Sequence, residues 1–121
     1  MIPKQKLRIG NKVMINGQIV TVKAIEHNSV NDKYYVKVYE DFRLILTDYL
    51  DPIPITEEAL VKMGFECDSR EALNYIYKFN NFSYYPNSKE WYYKWNKIEI
   101  DFIHQLQNII YFLTKTELSY D

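Results

Sequence analysis

The chain has 121 residues, of which 47% are hydrophobic and 17% aromatic. This length fits one domain, or two very small subdomains that share a core. The formal net charge of −1 excludes an overall basic field that would hold phosphate backbones, and the single cysteine excludes an internal disulfide and a cysteine-rich zinc site.

The first residues are polar and include the one basic cluster that contains no acid. This cluster comprises Lys4, Lys6, Arg8 and Lys12. We interpret it as a solvated terminus rather than as an arm that binds nucleic acid. The chain shows neither a signal-peptide pattern nor an apolar run of membrane-spanning length. We therefore expect a protein of the host cell cytoplasm that does not bind a membrane.

A β-hairpin is predicted around Asn16-Gly17. These two residues lie between β-rich runs at 12–15 and 18–26, and both tolerate the positive φ that a type I′ turn requires. Further strands are predicted at 33–40 and 42–46, before Pro52 and Pro54 end the regular structure.

These short strands predict a small β-barrel-like subdomain over residues 7–54. Its pattern of Ile-Gly-x-x-Val, Asn-Gly and Ile-Val-x-Val is similar to small barrels of the SH3-like and Tudor-like type. Barrels of this type serve many unrelated functions, so the similarity implies a fold and no activity.

Residues 55–118 are predicted to form a second subdomain, which consists of a helix, an antiparallel β-meander and a longer helix. Thr56 is expected to cap the first helix, and Gly64 is expected to end it in a left-handed conformation. Residues 66–71 are expected to be polar and irregular. The two subdomains together predict an α+β fold, which the chain could also form as one compact domain.

The β-meander is unusually aromatic. Strands are predicted at 73–79, 82–85 and 90–95, followed by a turn at Asn96-Lys97 and a short strand at 98–100. Aromatic residues point to both faces of this sheet, although helices would cover only one face. We therefore expect Tyr84, Tyr85 or Tyr92 to lie on an exposed contact surface; the alternative is that the first half or a second copy of the chain covers that face.

The last amphipathic segment, residues 98–118, predicts a long helix that packs on the aromatic sheet. Asp101 is the expected N-cap. At helical spacing one side of the helix is apolar, with Phe102, Leu106, Ile109, Ile110 and Leu113, and with Ile103 at its edge.

The remaining surface of this helix is polar. We interpret it first as a solvated face with one satisfied histidine. The alternative is a polar contact patch that binds a partner. The candidate binding residues on this helix are His104, Gln105, Gln107, Asn108 and Tyr111.

The sequence contains no motif that indicates catalysis. Each of the three glycines has a turn or cap role, so no phosphate loop is present. His27 and His104 are far apart in sequence and have no second ligand at metal spacing. Cys67 is expected to be a buried or half-buried structural thiol, and a nucleophile–base pair of Cys67 with His104 is the disfavoured alternative. We therefore predict no catalytic residue, no metal site and no cofactor.

The whole chain from Leu7 to Leu118 resembles a family of small uncharacterised proteins that are common in gut anaerobic bacteria and in their phages and mobile elements. The segments that carry the resemblance are LRIGNKV with the following NG and IV, then DPIPITEEALVKMGFE, and finally IHQLQNIIYFLTKTEL. Family members usually have Gly where this chain has Lys115, so the sequence of this chain indicates the end of the helix less clearly. The resemblance implies a phage or mobile-element context and no catalytic residues.

These observations predict a non-enzymatic interaction module that binds a protein partner and that could also form a homo-oligomer. The alternative is a nucleic-acid-associated protein that stacks bases on exposed Tyr and Trp beside Lys78, Lys94 and Lys97. Capture of a small ligand between the two halves of the chain is a third, weaker alternative.

Overall fold

A computed structural model describes the backbone of residues 1–71 and 74–118 and the side chains of residues 1–68 and 75–118. Within these ranges the chain has an α+β fold with two antiparallel sheets, of four and five strands, and two α-helices, so the predicted fold class is confirmed. The elements are β1 (Lys12–Ile15), β2 (Gln18–Asn28), β3 (Lys33–Val38), β4 (Asp41–Leu46), α1 (Glu57–Lys62), β5 (Glu66–Glu71), β6 (Asn74–Phe79), β7 (Phe82–Tyr85), β8 (Glu90–Tyr93), β9 (Asn96–Ile98) and α2 (Ile103–Thr114).

The chain divides into two compact units. The first unit contains Met1–Pro54 and Phe102–Thr116, and the second contains Ile55–Asp101 and the chain end from Glu117. Helix α2 therefore belongs to the first unit and contacts β1, whereas the sequence grouped it with residues 55–118. The subdomain boundaries at 7–54 and 55–118, and the packing of α2 on the aromatic sheet, stay predictions.

The sheet of the first unit begins with the predicted hairpin. Asn16 and Gly17 have φ angles of 50° and 80°, and Ile15 pairs with Gln18 on either side of them. Both turn residues therefore adopt the positive φ that a tight type I′ connection needs. The hairpin prediction is confirmed.

This sheet is open rather than a closed barrel, which corrects the barrel prediction. Its strands follow the order β1-β2-β3-β4. The outer edge of β1 is occupied by Asp51, because the N–H of Met14 donates to the Asp51 carbonyl and the N–H of Asp51 donates to the Met14 carbonyl, each at 2.8 Å. The segment after β4, and not β4 itself, therefore meets β1.

Strand β4 carries an irregular bulge of three residues. Val38 pairs with Asp41 and Val36 pairs with Ile45, so residues 42–44 of β4 lie opposite Lys37 alone. The extra residues interrupt the ladder and leave the Phe42 side chain fully exposed.

Apolar side chains of the first unit form one buried cluster beneath the sheet. Alternation along β2 buries Val20 and Val22 and turns Thr21 and Lys23 away from this cluster. Each fully buried side chain of this kind contributes about 1.5–3 kcal/mol to the free energy of unfolding. The cluster comprises Ile2, Leu7, Val13, Val20, Val22, Val36, Val38, Ile45 and Leu50.

Helix α2 begins one residue later than the predicted cap. Phe102 is the N-cap residue, and its N–H donates to the side-chain carbonyl of Gln105 at 3.1 Å. The N–H of Ile103 donates to the Ile53 carbonyl at 2.9 Å, which ties the helix start to the end of the first unit's sheet region. The prediction of Asp101 as N-cap is wrong because Gln105 and Ile53 supply the acceptors instead.

The apolar stripe of α2 is buried in its first two turns. Ile103, Leu106 and Ile110 are buried, whereas Leu113 is exposed. The helix ends at Thr114, and Lys115 follows with a left-handed φ of 59°.

The second unit starts with the short helix α1, whose ends match the prediction. The Thr56 hydroxyl accepts from the N–H of Ala59 at 3.1 Å. Gly64 has a φ of 100°, and its N–H donates to the Val61 carbonyl at 3.1 Å. Together with the bond from the Phe65 N–H to the Leu60 carbonyl, at 2.9 Å, this is a Schellman motif.

Strand β5 was not expected. Residues 66–71 were expected to be irregular because their sequence is polar, but they pair with β6. The strand lies at the edge of the sheet order β5-β6-β7-β8-β9, where polar side chains are common. Leu73, the predicted first residue of β6, lies outside the described residues.

One face of the second sheet is an aromatic core. Phe82 and Trp91 are fully buried, and Tyr84 is 8% exposed. The rings of Tyr84 and Trp91 are 4.7 Å apart between centroids, and Phe65 meets Trp91 edge-on at 5.8 Å. Offset and edge-to-face contacts of this kind stabilise ring pairs by about 0.5–1.5 kcal/mol beyond area burial.

A buried tyrosine joins this face to α1. The Tyr77 hydroxyl donates to Glu57 Oε1 at 2.9 Å, and burial followed by the Glu57 carboxylate raises the pKa of Tyr77 to about 12. Cys67 lies opposite Tyr77 in the strand pairing and is exposed. The expectation of a buried or half-buried thiol is therefore wrong: Cys67 lies on β5, the edge strand of this sheet, and its side chain is exposed there.

The left-handed Lys115 generates the first testable prediction. Replacing Lys115 with Gly removes the steric cost of a Cβ at positive φ, whereas Lys115→Ala removes the same lysine and keeps the Cβ. We expect Lys115→Gly to exceed Lys115→Ala in free energy of unfolding by about 1 kcal/mol, measured by urea denaturation. Equal stabilities of the two variants would contradict it.

Candidate binding groove on the second sheet

The polar residues of α2 that were predicted as a contact patch form hydrogen bonds within the first unit. Gln107 is 1% exposed. Its side-chain carbonyl accepts from the N–H of Lys12 at 2.9 Å, and its side-chain amide donates to the Gly10 carbonyl at 3.4 Å. A buried amide that satisfies both of its groups in this way holds the helix against the segment before β1.

Asn108 extends the same network. Its side-chain carbonyl accepts from Asn11 Nδ2 at 2.7 Å and from Arg8 Nε at 3.1 Å. Its amide donates to the Lys6 carbonyl at 3.0 Å. The first residues of the chain are therefore bound to α2, and the interpretation of residues 4–12 as a simple solvated terminus is too coarse.

Two other candidate residues of α2 also have local roles. Gln105 accepts from the N–H of Phe102 at the helix start. The guanidinium of Arg8 lies 4.2 Å from the ring centroid of Tyr111, a cation–π contact. The candidate residues of α2 thus support the fold of the first unit.

His104 is a buried histidine with an unsatisfied nitrogen. Its side chain is 3% exposed, and its ring stacks on Phe102 with centroids 6.0 Å apart. Nδ1 has no hydrogen-bond partner among the described residues. Burial, followed by the positive charge of Lys6, lowers the pKa of His104 from 6.5 to about 4. The solvated-face interpretation is therefore wrong for His104, as it is for Gln107.

Helix α2 should therefore lose stability in acid. Between pH 6.5 and pH 4 the unfolded chain binds a proton at His104 that the folded chain does not bind. The free energy of unfolding should fall by up to about 1.4 kcal/mol per pH unit as the pH is lowered through this window. Urea denaturation between pH 7 and pH 4 measures this slope.

The matched variant for this measurement is His104→Leu. It should flatten the slope because it removes the buried imidazole. An unchanged slope in His104→Leu would show that other groups cause the acid sensitivity.

The second sheet has an open face opposite its aromatic core. Strand pairing places Lys78, Ser83, Tyr92 and Lys97 in one row across β6, β7, β8 and β9. Tyr85 and Glu90 pair in the next row, and the rings of Tyr85 and Tyr92 meet edge to face at 5.5 Å. Of the three tyrosines that were predicted to bind, Tyr85 and Tyr92 lie on this open face, and Tyr84 lies in the core.

Trp95 lies at the end of this face, in a turn that was placed wrongly from sequence. The turn was predicted at Asn96-Lys97, but Tyr93 pairs with Asn96, so the turn residues are Lys94 and Trp95. Lys94 has a φ of 56°, and its N–H donates to the Asn81 carbonyl at 2.8 Å. Trp95 is consequently 95% exposed instead of lying on a strand.

The open face and its turns form a groove of about 750 Å³, which we call the aromatic groove. Two hairpin turns meet at one end of it, and the β7–β8 connection lies at the other. The lining consists of aromatic, hydroxyl and amide side chains with three charged ones. The lining residues are Lys78, Asn80, Asn81, Ser83, Tyr85, Ser88, Glu90, Tyr92, Lys94 and Trp95.

Most charges of the aromatic groove are already paired. Lys78 Nζ lies 3.6 Å from Asp68, and Lys97 Nζ lies 3.1 Å from Glu90. Hydrogen bonding from Lys97 lowers the pKa of Glu90. Lys94 differs, because its ammonium lies 5.6 Å from the ring centroid of Tyr93 and forms no ion pair with a described residue.

The described residues show no catalytic arrangement in the aromatic groove. Its lining contains no Cys or His, and Cys67 is not among the lining residues. Among the side chains that the structure describes, at residues 1–68 and 75–118, no three His, Cys, Asp or Glu come together as metal ligands would. The arrangement can bind through ring faces, amides and charge.

Comparison with protein-family models, curated proteins and solved structures gives no match for this chain. In the part of the chain that the structure describes, neither helix has the length and apolar character needed to cross a membrane.

The contrast between the two tryptophans gives a direct spectroscopic test of the groove. Trp91 is 1% exposed and Trp95 is 95% exposed. Acrylamide should quench one component of the tryptophan emission strongly and the other weakly, because a collisional quencher reaches only the exposed ring. Trp95→Phe should remove the strongly quenched, red-shifted component. A strongly quenched Trp91 in that variant would contradict the groove geometry.

Proposed function

We propose that this chain is a non-enzymatic binding module whose aromatic groove binds a protein partner. The observation that carries the proposal is the 95% exposed side chain of Trp95 at the end of a groove lined by Tyr85 and Tyr92. Tryptophan and tyrosine are the residues most enriched among those that dominate protein–protein binding energy. An exposed ring beside other rings offers apolar area that a partner can bury.

The rest of the lining supports a protein partner. Tyrosine, serine and asparagine side chains make up the majority of the lining. Such surfaces combine rigid rings with adaptable hydrogen-bonding groups, as protein-binding loops do. Because Lys78 and Lys97 are paired with carboxylates, the groove lacks the dense uncompensated positive charge that a polyphosphate chain needs.

Single-stranded nucleic acid is the second candidate ligand. Lys78 and Lys94 line the groove together with Tyr92 and Trp95, and bases stack on exposed rings beside cations. This candidate predicts binding that weakens steeply between low and physiological salt.

Several wider features are part of the same proposal. A phage or mobile-element origin and the SH3-like character of residues 7–54 rest on sequence resemblance. A cytoplasmic location is supported by the free, exposed thiol of Cys67, which suits a reducing compartment.

The test is affinity capture from a lysate of the encoding organism, followed by mass spectrometry, with three baits. The wild-type chain and Tyr49→Ala should retain the same protein, because Tyr49 is an exposed ring outside the groove. Trp95→Ala should lose it, by tenfold or more if Trp95 contributes about 2 kcal/mol. Equal retention by all three baits would overturn the proposal.

A second experiment tests nucleic-acid binding with a fluorescein-labelled oligothymidylate of twenty nucleotides. If the groove binds a protein partner as proposed, addition of the chain leaves the anisotropy of this oligonucleotide unchanged at low salt. A rise in anisotropy that disappears at physiological salt and in Trp95→Ala would instead select the second candidate.

A further inference from the structure

Two ion pairs already occupy charged side chains that line the aromatic groove. Lys78 Nζ lies 3.6 Å from Asp68, and Lys97 Nζ lies 3.1 Å from Glu90. A charged ligand would have to displace one of these partners, and the loss of the old pair would offset the gain from the new one. The two pairs therefore favour a ligand without charge.

Lys94, the remaining charged residue of the lining, is engaged on the other face of the sheet. Its ammonium lies 5.6 Å from the ring centroid of Tyr93, and this ring packs on buried Phe82 at 4.8 Å between centroids. The ammonium thus lies beside the aromatic core, on the face opposite the groove. A ligand in the groove meets ring faces, amides and hydroxyls.

The amides and hydroxyls of the lining can bond to a ligand. The side chains of Asn80, Asn81 and Ser83 form no hydrogen bond with another described residue, and Trp95 with its indole N–H is exposed. Each of these groups can donate to a carbonyl oxygen. A ligand whose backbone carbonyls are not engaged in hydrogen bonds of its own therefore matches the lining.

The rings of the groove lie at two positions along its length. The rings of Tyr85 and Tyr92 meet edge to face at 5.5 Å, toward the β7–β8 connection, and Trp95 lies in the turn at the other end. From Glu90, which pairs with Tyr85, to the last residue of β8, Tyr93, the strand advances by about 10 Å. The two ring positions are separated by about this length along the groove.

A polyproline II helix has a repeat that matches this separation. It rises by about 3.1 Å per residue with three residues per turn, so residues three positions apart lie about 9 Å apart on one side. Its backbone forms no internal hydrogen bonds, and its carbonyls are open to donors. Proline adds an uncharged ring and fixes φ. Such a segment is extended before it binds, so it loses little conformational entropy on an exposed surface.

We infer that the aromatic groove binds a proline-rich segment in the polyproline II conformation, with one proline on the rings of Tyr85 and Tyr92 and a second proline, three residues away, on Trp95. The inference rests on the proposed protein-binding function and specifies its ligand. Proline-rich segments bind aromatic-lined grooves in this conformation. Because the contacting groups are uncharged, the affinity does not depend on salt.

The first experiment selects peptides from a phage-displayed library of random twelve-residue sequences. The wild-type chain is the bait, and Trp95→Ala serves for counter-selection. We expect the selected peptides to be enriched in two prolines three positions apart, without enrichment of acidic or basic residues. The best peptide is then synthesised with a fluorescein label, and its affinity is measured by fluorescence anisotropy.

Variants of the chain and of the peptide test the contacts. Trp95→Ala and Tyr85→Ala should each weaken binding by about fivefold or more, whereas Tyr49→Ala, which removes an exposed ring outside the groove, should leave the affinity unchanged. Replacing either spaced proline of the peptide with alanine should weaken binding, because alanine frees φ in the unbound peptide. The affinity should be equal at low and at physiological salt. Circular dichroism establishes that the variants remain folded.

The outcomes separate the inference from the proposed function. The inference is overturned, and the protein-binding function stands, if the selected peptides depend on Trp95 but lack the proline pair, tolerate its replacement with alanine, or lose affinity steeply with salt. Failure to select any peptide that Trp95→Ala loses also overturns the inference. If all three baits then retain the same proteins in the lysate capture, the proposed function fails as well.

Discussion

The pairing of Trp91 with Ile98 is the constraint on which the candidate site depends. The ring of Trp91 lies in the aromatic core, beside Tyr84 and Phe65. Since Tyr93 then pairs with Asn96, only two residues remain for the connection between β8 and β9. The same register that pairs Trp91 with Ile98 therefore places Trp95 in the turn. A single register explains both the stability of the sheet and the exposed ring at the end of the aromatic groove.

In the first unit, polar side chains of α2 bind the start of the chain. Gln107 lies beside the buried apolar residues of α2, and Asn108 follows it; together they bind backbone groups of Lys6, Gly10 and Lys12. Apolar side chains could not form hydrogen bonds with these backbone groups. The side-chain amides of Gln107 and Asn108 supply the partners instead. The helix is thereby held in one position along the chain's start, because hydrogen bonds are directional whereas apolar contacts are not.

Local signals predicted much of the fold, and pairing between distant segments decided the rest. Asn16-Gly17, Thr56 and Gly64 each act on residues only a few positions away, through backbone conformation or, for Thr56, through its hydroxyl, so sequence alone identified their turns and caps. The edge strand β5 and the turn at Lys94 depend on which strand lies alongside, and local propensity carries no such information. For the site, alternation along residues 90–95 predicted Tyr92 on the face opposite Trp91, but it left open whether Tyr84 or Tyr85 joins it, and the strand pairing shows that Tyr85 does. Alternation missed Trp95, because a two-residue shift of the turn was required.

The bulge of β4 has a consequence for how the protein behaves in concentrated solution. Three residues of this strand lie opposite one residue of β3, so the outer backbone groups of β4 do not form a regular row. An incoming strand from another molecule needs such a row as a template. The exposed Phe42 therefore does not lie on a regular sheet edge along which the backbone of a second molecule could pair.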